Sequence, residues 1–170
     1  MNLRPDLHKL LRYNVDVIEQ GLQLIDLYRA DGRDEFGCYC GPHLRHIVEH
    51  YDAFTLHIHT SSVDYDTRAR DHALESDPLL AQQRLRHVQQ QLLALDVGRI
   101  AEPIAVQMRG GLGGEDNYVS FSSLSRELLF LASHAIHHYA LVRVRCEASG
   151  MKLDEHFGKA PATVRHARGA

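Results

Sequence analysis

The segment LASHAIHHYALV, residues 131 to 142, carries His134, His137 and His138 within five positions. A helix advances about 100° per residue, so two residues four apart stand one turn from each other on the same face. His134 and His138 have that spacing, at which two imidazoles can grip one ion. Both fall on the apolar stripe of Leu131, Ala135 and Val142 and are expected to point inward, whereas His137 is expected at the edge or outside. Two imidazoles in an apolar face are costly unless their nitrogens are satisfied. A metal ion would satisfy both.

Sites built between helices commonly draw ligands from facing helices. A second histidine-rich stretch, GPHLRHIVEHYDAFTLHIH, offers His43, His46, His50 and His57 as one stripe. Any of these would complete a three-histidine site, leaving a coordination position open for water or substrate. Such an ion would lower the pKa of bound water and polarise a substrate atom. The plainer alternative is histidines on helix edges, hydrogen-bonded to Glu49, Asp52 or backbone groups. Glu49, Asp52 and Tyr139 are weak catalytic candidates, and Glu127, about two turns from His134, is a weaker one. A peptidase of the HExxH type is disfavoured, because Ala135 stands where the glutamate base would be.

These residues need helices to position them. A first helix is expected from Pro5 to about Arg29, with Leu7, Leu11, Asn14, Ile18, Leu22 and Ile25 at a 3.6-residue period. A second is expected to start at Pro42, a favoured first-turn residue, and to run to about His59. The stretch TSSVDYDTRARDHALESD reads as a polar loop, and its charges at Asp64, Asp66, Arg68, Arg70 and Asp71 are expected to face water or pair internally, ahead of lining a pocket mouth. A third helix begins near Pro78, with Ala81, Leu85, Val88, Leu92 and Leu95 inward. PIAVQMR and NYVSFS, joined by GGLGGED, read as a β-hairpin; that loop lacks the lysine and hydroxyl residue of a phosphate loop. The last helix runs from Ser123 to about Glu147, capped by Ser122 or Ser123. The expectation is an all-α, up-down four-helix bundle with a short β-hairpin inserted before the last helix. The chain, residues 1–170, is read as one domain whose tail, 150–170, packs on the surface or is partly mobile.

Composition narrows the function. Histidine is the outlier, at 13 of 170 residues. The formal net charge of −3 argues against a nucleic-acid or membrane-surface binder, which needs a strong positive field. No apolar run reaches the roughly 18–20 residues of a transmembrane helix, and no signal-peptide pattern opens the chain, so a cytoplasmic protein is expected. The odd cysteine count suits a reducing compartment, and Cys38 with Cys40 is a weak metal signal because common zinc sites use wider spacings.

With these residues in view, the chain resembles the DinB-like (DinB/YfiT) family of metal-binding four-helix bundles. The matching pieces are HIVEH, residues 46 to 50, and HAIHH, residues 134 to 138. The resemblance covers most of the chain and implies His46, His134 and His138 as metal ligands, with His50 as the alternate on the second helix. It departs after His138, where many members carry Arg-Gly-Gln and this chain has Tyr139, Ala140 and Leu141. It further implies a homodimer and a range of activities: thiol-dependent S-transferases, a maleylpyruvate isomerase, and proteins described as metal-dependent hydrolases.

The first functional expectation is therefore an enzyme with a divalent ion, zinc or nickel by ligand softness and manganese or iron after them. It would activate water or a low-molecular-weight thiol against a small-molecule substrate. The second is a non-catalytic metal-binding or stress-related protein, which a fourth ligand such as His50 would favour. The third is a dimeric helical bundle without metal.

Overall fold

The computed structural model describes residues 5–32 and 36–169. The chain is mostly helical. Four long helices, α1 (Leu7–Ala30), α2 (Phe36–His57), α4 (Pro78–Ala94) and α5 (Leu124–Ala148), are joined by short elements. These are β1 (Ser62–Asp64), α3 (Ala73–Ser76), β2 (Ile104–Gly110) and β3 (Asp116–Ser122), with α6 (Pro161–Ala167) in the tail. Helices α1 and α2 each pack against both α4 and α5. None of the described helices is long and apolar enough to cross a membrane.

Helices α1, α4 and α5 start where the sequence supplies a cap. Asp6 accepts from the Lys9 N–H at α1, and Asp77 accepts from Leu79 and Leu80 at α4, ahead of Pro78. Ser123 accepts from Arg126 at α5. The expected stripes are buried, including Leu85, Val88 and Leu92 of α4 and Ile18, Leu22 and Ile25 of α1. Asn14 on the α1 stripe is fully buried and satisfied: its Oδ1 accepts from the Tyr51 hydroxyl at 2.7 Å and its Nδ2 donates to the Leu10 carbonyl at 2.8 Å.

Two expectations are corrected. Helix α2 does not begin at Pro42 but at Phe36, leaving the proline inside the helix. A proline there lacks the N–H that would reach the Cys38 carbonyl. The loss is offset by burial: Phe36 packs edge-on against Tyr28 with centroids 5.9 Å apart, and Cys40 and Gly41 are buried on the same stretch. The segment read as a polar loop after α2 holds two elements. Its Val63 is buried in β1, which pairs in parallel with β2, and its Leu74 is buried in α3. The hairpin has the expected antiparallel form, pairing Ile104 with Ser122 and Gly110 with Asp116.

The tail lies on the helices. Met151 and Phe157 are buried, and the Gly158 N–H donates to Gln20 Oε1 at 2.9 Å. Gly158 has φ +65°, and a Cβ there would come within 2.8 Å of the Tyr139 and Ala140 backbone, so only glycine fits.

Gly41 makes a second such close approach. A Cβ added to it would overlap the Glu75 backbone, so α3 can lie on α2 only because position 41 has no side chain. Gly41→Ala is expected to destabilise the chain by about 1–3 kcal/mol, read as a lower urea midpoint. An unchanged midpoint would show that α3 can step away without cost.

Candidate metal centre

Helix α2 presents His43, His46 and His50 at intervals of three and four, and α5 presents His134 and His138. The helices pack so that the two sets interleave. Ring centroids lie 4.5 Å apart for His46–His138, 5.0 Å for His46–His134, 4.4 Å for His50–His134 and 4.7 Å for His134–His138. One ring nitrogen from each of His46, His134 and His138 lies within 4.8 Å of the other two. Ligands about 2.05 Å from a tetrahedral zinc are about 3.3 Å apart, so small side-chain rotations would close the three onto one ion. These imidazoles are half-buried at the edge of the core stripe, rather than within it as the periodicity suggested; Ala135, Tyr139 and Val142 hold the interior. His137 is exposed, and His57, at the end of α2, makes no ring contact with the cluster among the described residues.

Burial sets the protonation. It pushes His46 down to about 3, helped by repulsion from His50 and His138. It pushes His138 down to about 3, helped by His134 and His43, and His50 down to about 4. His43 and His134 are lowered for the same leading reason. All five are neutral at pH 7, and each therefore has one N–H and one lone pair. The His50 Nδ1–H donates to the His46 carbonyl at 2.7 Å, which places its lone pair on Nε2. His43 Nδ1 and His138 Nδ1 share a hydrogen bond of 2.8 Å; with His138 as donor, its Nε2 lone pair is left for a ligand. His134 Nε2 is buried without any hydrogen-bond partner. A buried orphan nitrogen among four neutral imidazoles is the chemistry a divalent ion satisfies, so these residues fit one.

Aromatic rings wall the cluster. Tyr65 stacks on His50 with centroids 5.7 Å apart, and Phe130 stacks on His134 at 5.5 Å. Glu127 is buried behind them, its carboxylate accepting from the Tyr65 hydroxyl at 2.7 Å and the Ser122 hydroxyl at 2.5 Å. Its hydrogen bonds thus go to the wall rather than to a histidine. A cavity of about 260 Å³ lies on the side of this wall lined by Tyr65, Val106, Met108, Phe121, Arg126 and Phe130.

The helper candidates are placed as follows. Glu49 is buried, and its Oε1 accepts from the Asp71 N–H at 2.7 Å. Asp52 is held by Arg84 through contacts of 2.9 and 3.0 Å, and burial raises its carboxyl despite that cation. Tyr139 is fully buried, its ring 5.2 Å from Phe157 and its hydroxyl against Gly21 of α1. Sequence reasoning named Arg68 but favoured water or internal pairing for it over a place at a pocket mouth. Rather than facing water or an acid, its guanidinium Nη1 lies 3.1 Å from His46 Nδ1 and 3.2 Å from His50 Nε2. Sequence reasoning missed His43 as a partner of His138.

Neither a protein-family profile nor a solved structure matches the chain. Among curated proteins it is similar to FK506-binding protein 5 of Rhizopus delemar, 31% identical over 104 residues, or 61% of this chain. The match covers 27% of that protein, so the chain spans about a quarter of the relative's length.

The depressed imidazoles make stability pH-dependent. Their folded values lie below the ordinary value of about 6.5, so the unfolded chain binds more protons between the two. Their contribution is complete above about pH 6.5 and is lost as the pH falls toward the folded values of about 3 to 4. In chelator-containing buffer, the urea midpoint is expected to fall between pH 6.5 and 5, and less steeply in a His46→Gln, His138→Gln double variant. Parallel curves for the two proteins would show that these rings are not held neutral.

Proposed function

We propose that the chain is a metal-dependent protein of the DinB-like kind. In this reading the four long helices form an up-down bundle with the hairpin inserted before α5, and one divalent ion is held by His46, His134 and His138. The observation that carries the reading is the orphaned, buried His134 Nε2 facing a cluster of neutral imidazoles from two helices. Nitrogen ligands favour zinc or nickel, with manganese or iron after them.

Three protein ligands leave a position for a reactant, which supports an enzyme of the hydrolase or thiol S-transferase type acting on a small molecule. When bound, the ion supplies Lewis acidity that makes water or a low-molecular-weight thiol nucleophilic at neutral pH. The residues of the chain do the rest. His43 orients the His138 ring through their shared hydrogen bond. Tyr65 and Phe130 cover the His50 and His134 rings and limit water, and Glu127 fixes Tyr65 in that role. A cytoplasmic homodimer without nucleic-acid or membrane partners is part of the same proposal.

One observation favours a second reading. The His50 ring lies 4.2 Å from that of His46 and 4.4 Å from that of His134, with its lone pair on Nε2. A fourth imidazole would close the coordination and give a non-catalytic metal-binding or stress-related protein.

Elemental mass spectrometry on protein purified without an affinity tag separates these readings. The open site predicts about one ion per chain, lost in His138→Ala and retained in His50→Ala. Loss in both variants supports the closed site. A wild-type chain that takes up no zinc, nickel or manganese would return the histidines to a packing role.

A further inference from the structure

Among the described residues Arg68 is the charged side chain hydrogen-bonded to the clustered imidazoles, and the three-histidine reading alone gives it no task. It sits on the connection between β1 and α3, and its Nη1 reaches His46 and His50. Its Nε is buried without a hydrogen-bond partner. Among the described residues no carboxylate lies within ion-pair distance of it. The acids nearest in charge, Glu49 and Asp66, act on it from beyond ion-pair distance while accepting from the Asp71 and Arg109 N–H groups. The edge of the guanidinium made by Nε and Nη2 is therefore unpartnered, and once turned outward it is a fork of the kind that binds a planar oxyanion through two parallel hydrogen bonds.

Lone-pair arithmetic links this fork to the ion. A neutral imidazole has one lone pair. Arg68 takes that of His46 at Nδ1 and that of His50 at Nε2. Ligation through His46 needs the same electrons, so an ion there turns the guanidinium off the ring while the backbone keeps it beside the centre. The ion and Arg68 then bring about three positive charges over uncharged histidines, and Glu49 and Asp66 offset them only from beyond ion-pair distance. A half-buried site cannot hold unpaired charge cheaply. A reactant that brings a negative charge into direct contact lowers that cost.

We propose that the centre takes a carboxylate-bearing substrate and that Arg68 is its recognition residue, gripping the carboxylate while the rest of the molecule lies at the ion's open position. This rests on the three-histidine reading. Among oxyanions, a carboxylate matches the flat fork best, and the Tyr65 and Phe130 rings offer an apolar wall for its body.

The test uses the full chain loaded with cobalt(II), whose visible spectrum reports the coordination sphere. Benzoate and its uncharged isostere benzamide are titrated into wild type, Arg68→Lys and Arg68→Gln, with folding checked by circular dichroism. Wild type is expected to bind benzoate about tenfold or more tighter than benzamide. Arg68→Gln is expected to lose that preference, with benzamide binding unchanged, and Arg68→Lys to keep part of it. Benzoate should also raise cobalt affinity in wild type and not in Arg68→Gln, since the coupling is reciprocal. Cobalt uptake with equal benzoate binding in wild type and Arg68→Gln, or with benzamide matching benzoate in wild type, overturns this proposal and leaves the metal reading standing. A wild-type chain that takes up no cobalt overturns both.

Discussion

Five imidazoles can share one patch of this protein only while none of them is charged. His43, His46, His50, His134 and His138 stand with centroids 4.2 to 5.1 Å apart along a chain of neighbours, and each proton added would meet the next ring as a like charge. Neutrality is secured by depth. Helices α2 and α5 pack closely enough to half-bury the rings, and stacking by Tyr65 and Phe130 completes their cover. The core beneath, from Leu44 and Ile47 of α2 to Leu131 and Ala135 of α5, fixes the helix separation on which this depends. Packing and chemistry are thus joined: the contacts that hold the helices together also keep the rings unprotonated, the form in which nitrogen can ligate.

The surroundings are graded outward from that patch. Behind it, polar groups are fully engaged: Asn14 with Tyr51, Glu127 with Tyr65 and Ser122, Glu49 with the Asp71 backbone. These bonds hold the walls in place and keep the nearby acids out of direct contact with Arg68. Within the cluster, His134 Nε2 and Arg68 Nε are buried without a hydrogen-bond partner; elsewhere among the described residues Asp52 Oδ1, the Tyr139 hydroxyl and His156 Nδ1 are buried in the same state. Unmet hydrogen-bonding capacity in a native fold is uncommon, and at His134 and Arg68 it falls beside rings whose lone pairs can ligate.

What could be read from the sequence was whatever depends on a short stretch of chain. The pairing of His134 with His138 follows from the helical repeat alone, as do the buried stripes of α1 and α4, and the cap at Ser123 was legible from its residue type. The hairpin was legible from two alternating runs around a glycine loop. Pro42 misled, because a local start signal was overridden by the burial of Phe36 and Cys40 on the preceding turns. Strand β1 was hidden because three residues pairing in parallel with a distant strand leave almost no pattern. The meeting of His43 with His138, and of Arg68 with His46 and His50, depends on how elements far apart in the chain are laid against each other. No spacing rule reaches that far.

The connection bearing Arg68 is pinned at both ends. Tyr65 is buried and tied to Glu127 on one side; on the other, the Asp71 N–H is tied to Glu49, and Leu74 is buried in the short α3 that lies on Gly41. Between these anchors a few residues carry the cationic side chain over the histidines. The long helices supply the fold and the imidazoles, and this bridge supplies the charge above them. The two can therefore diverge at different rates: a lineage could exchange Arg68, or lengthen the bridge by a residue, and change which molecules are admitted while its histidines and its core stay as they are.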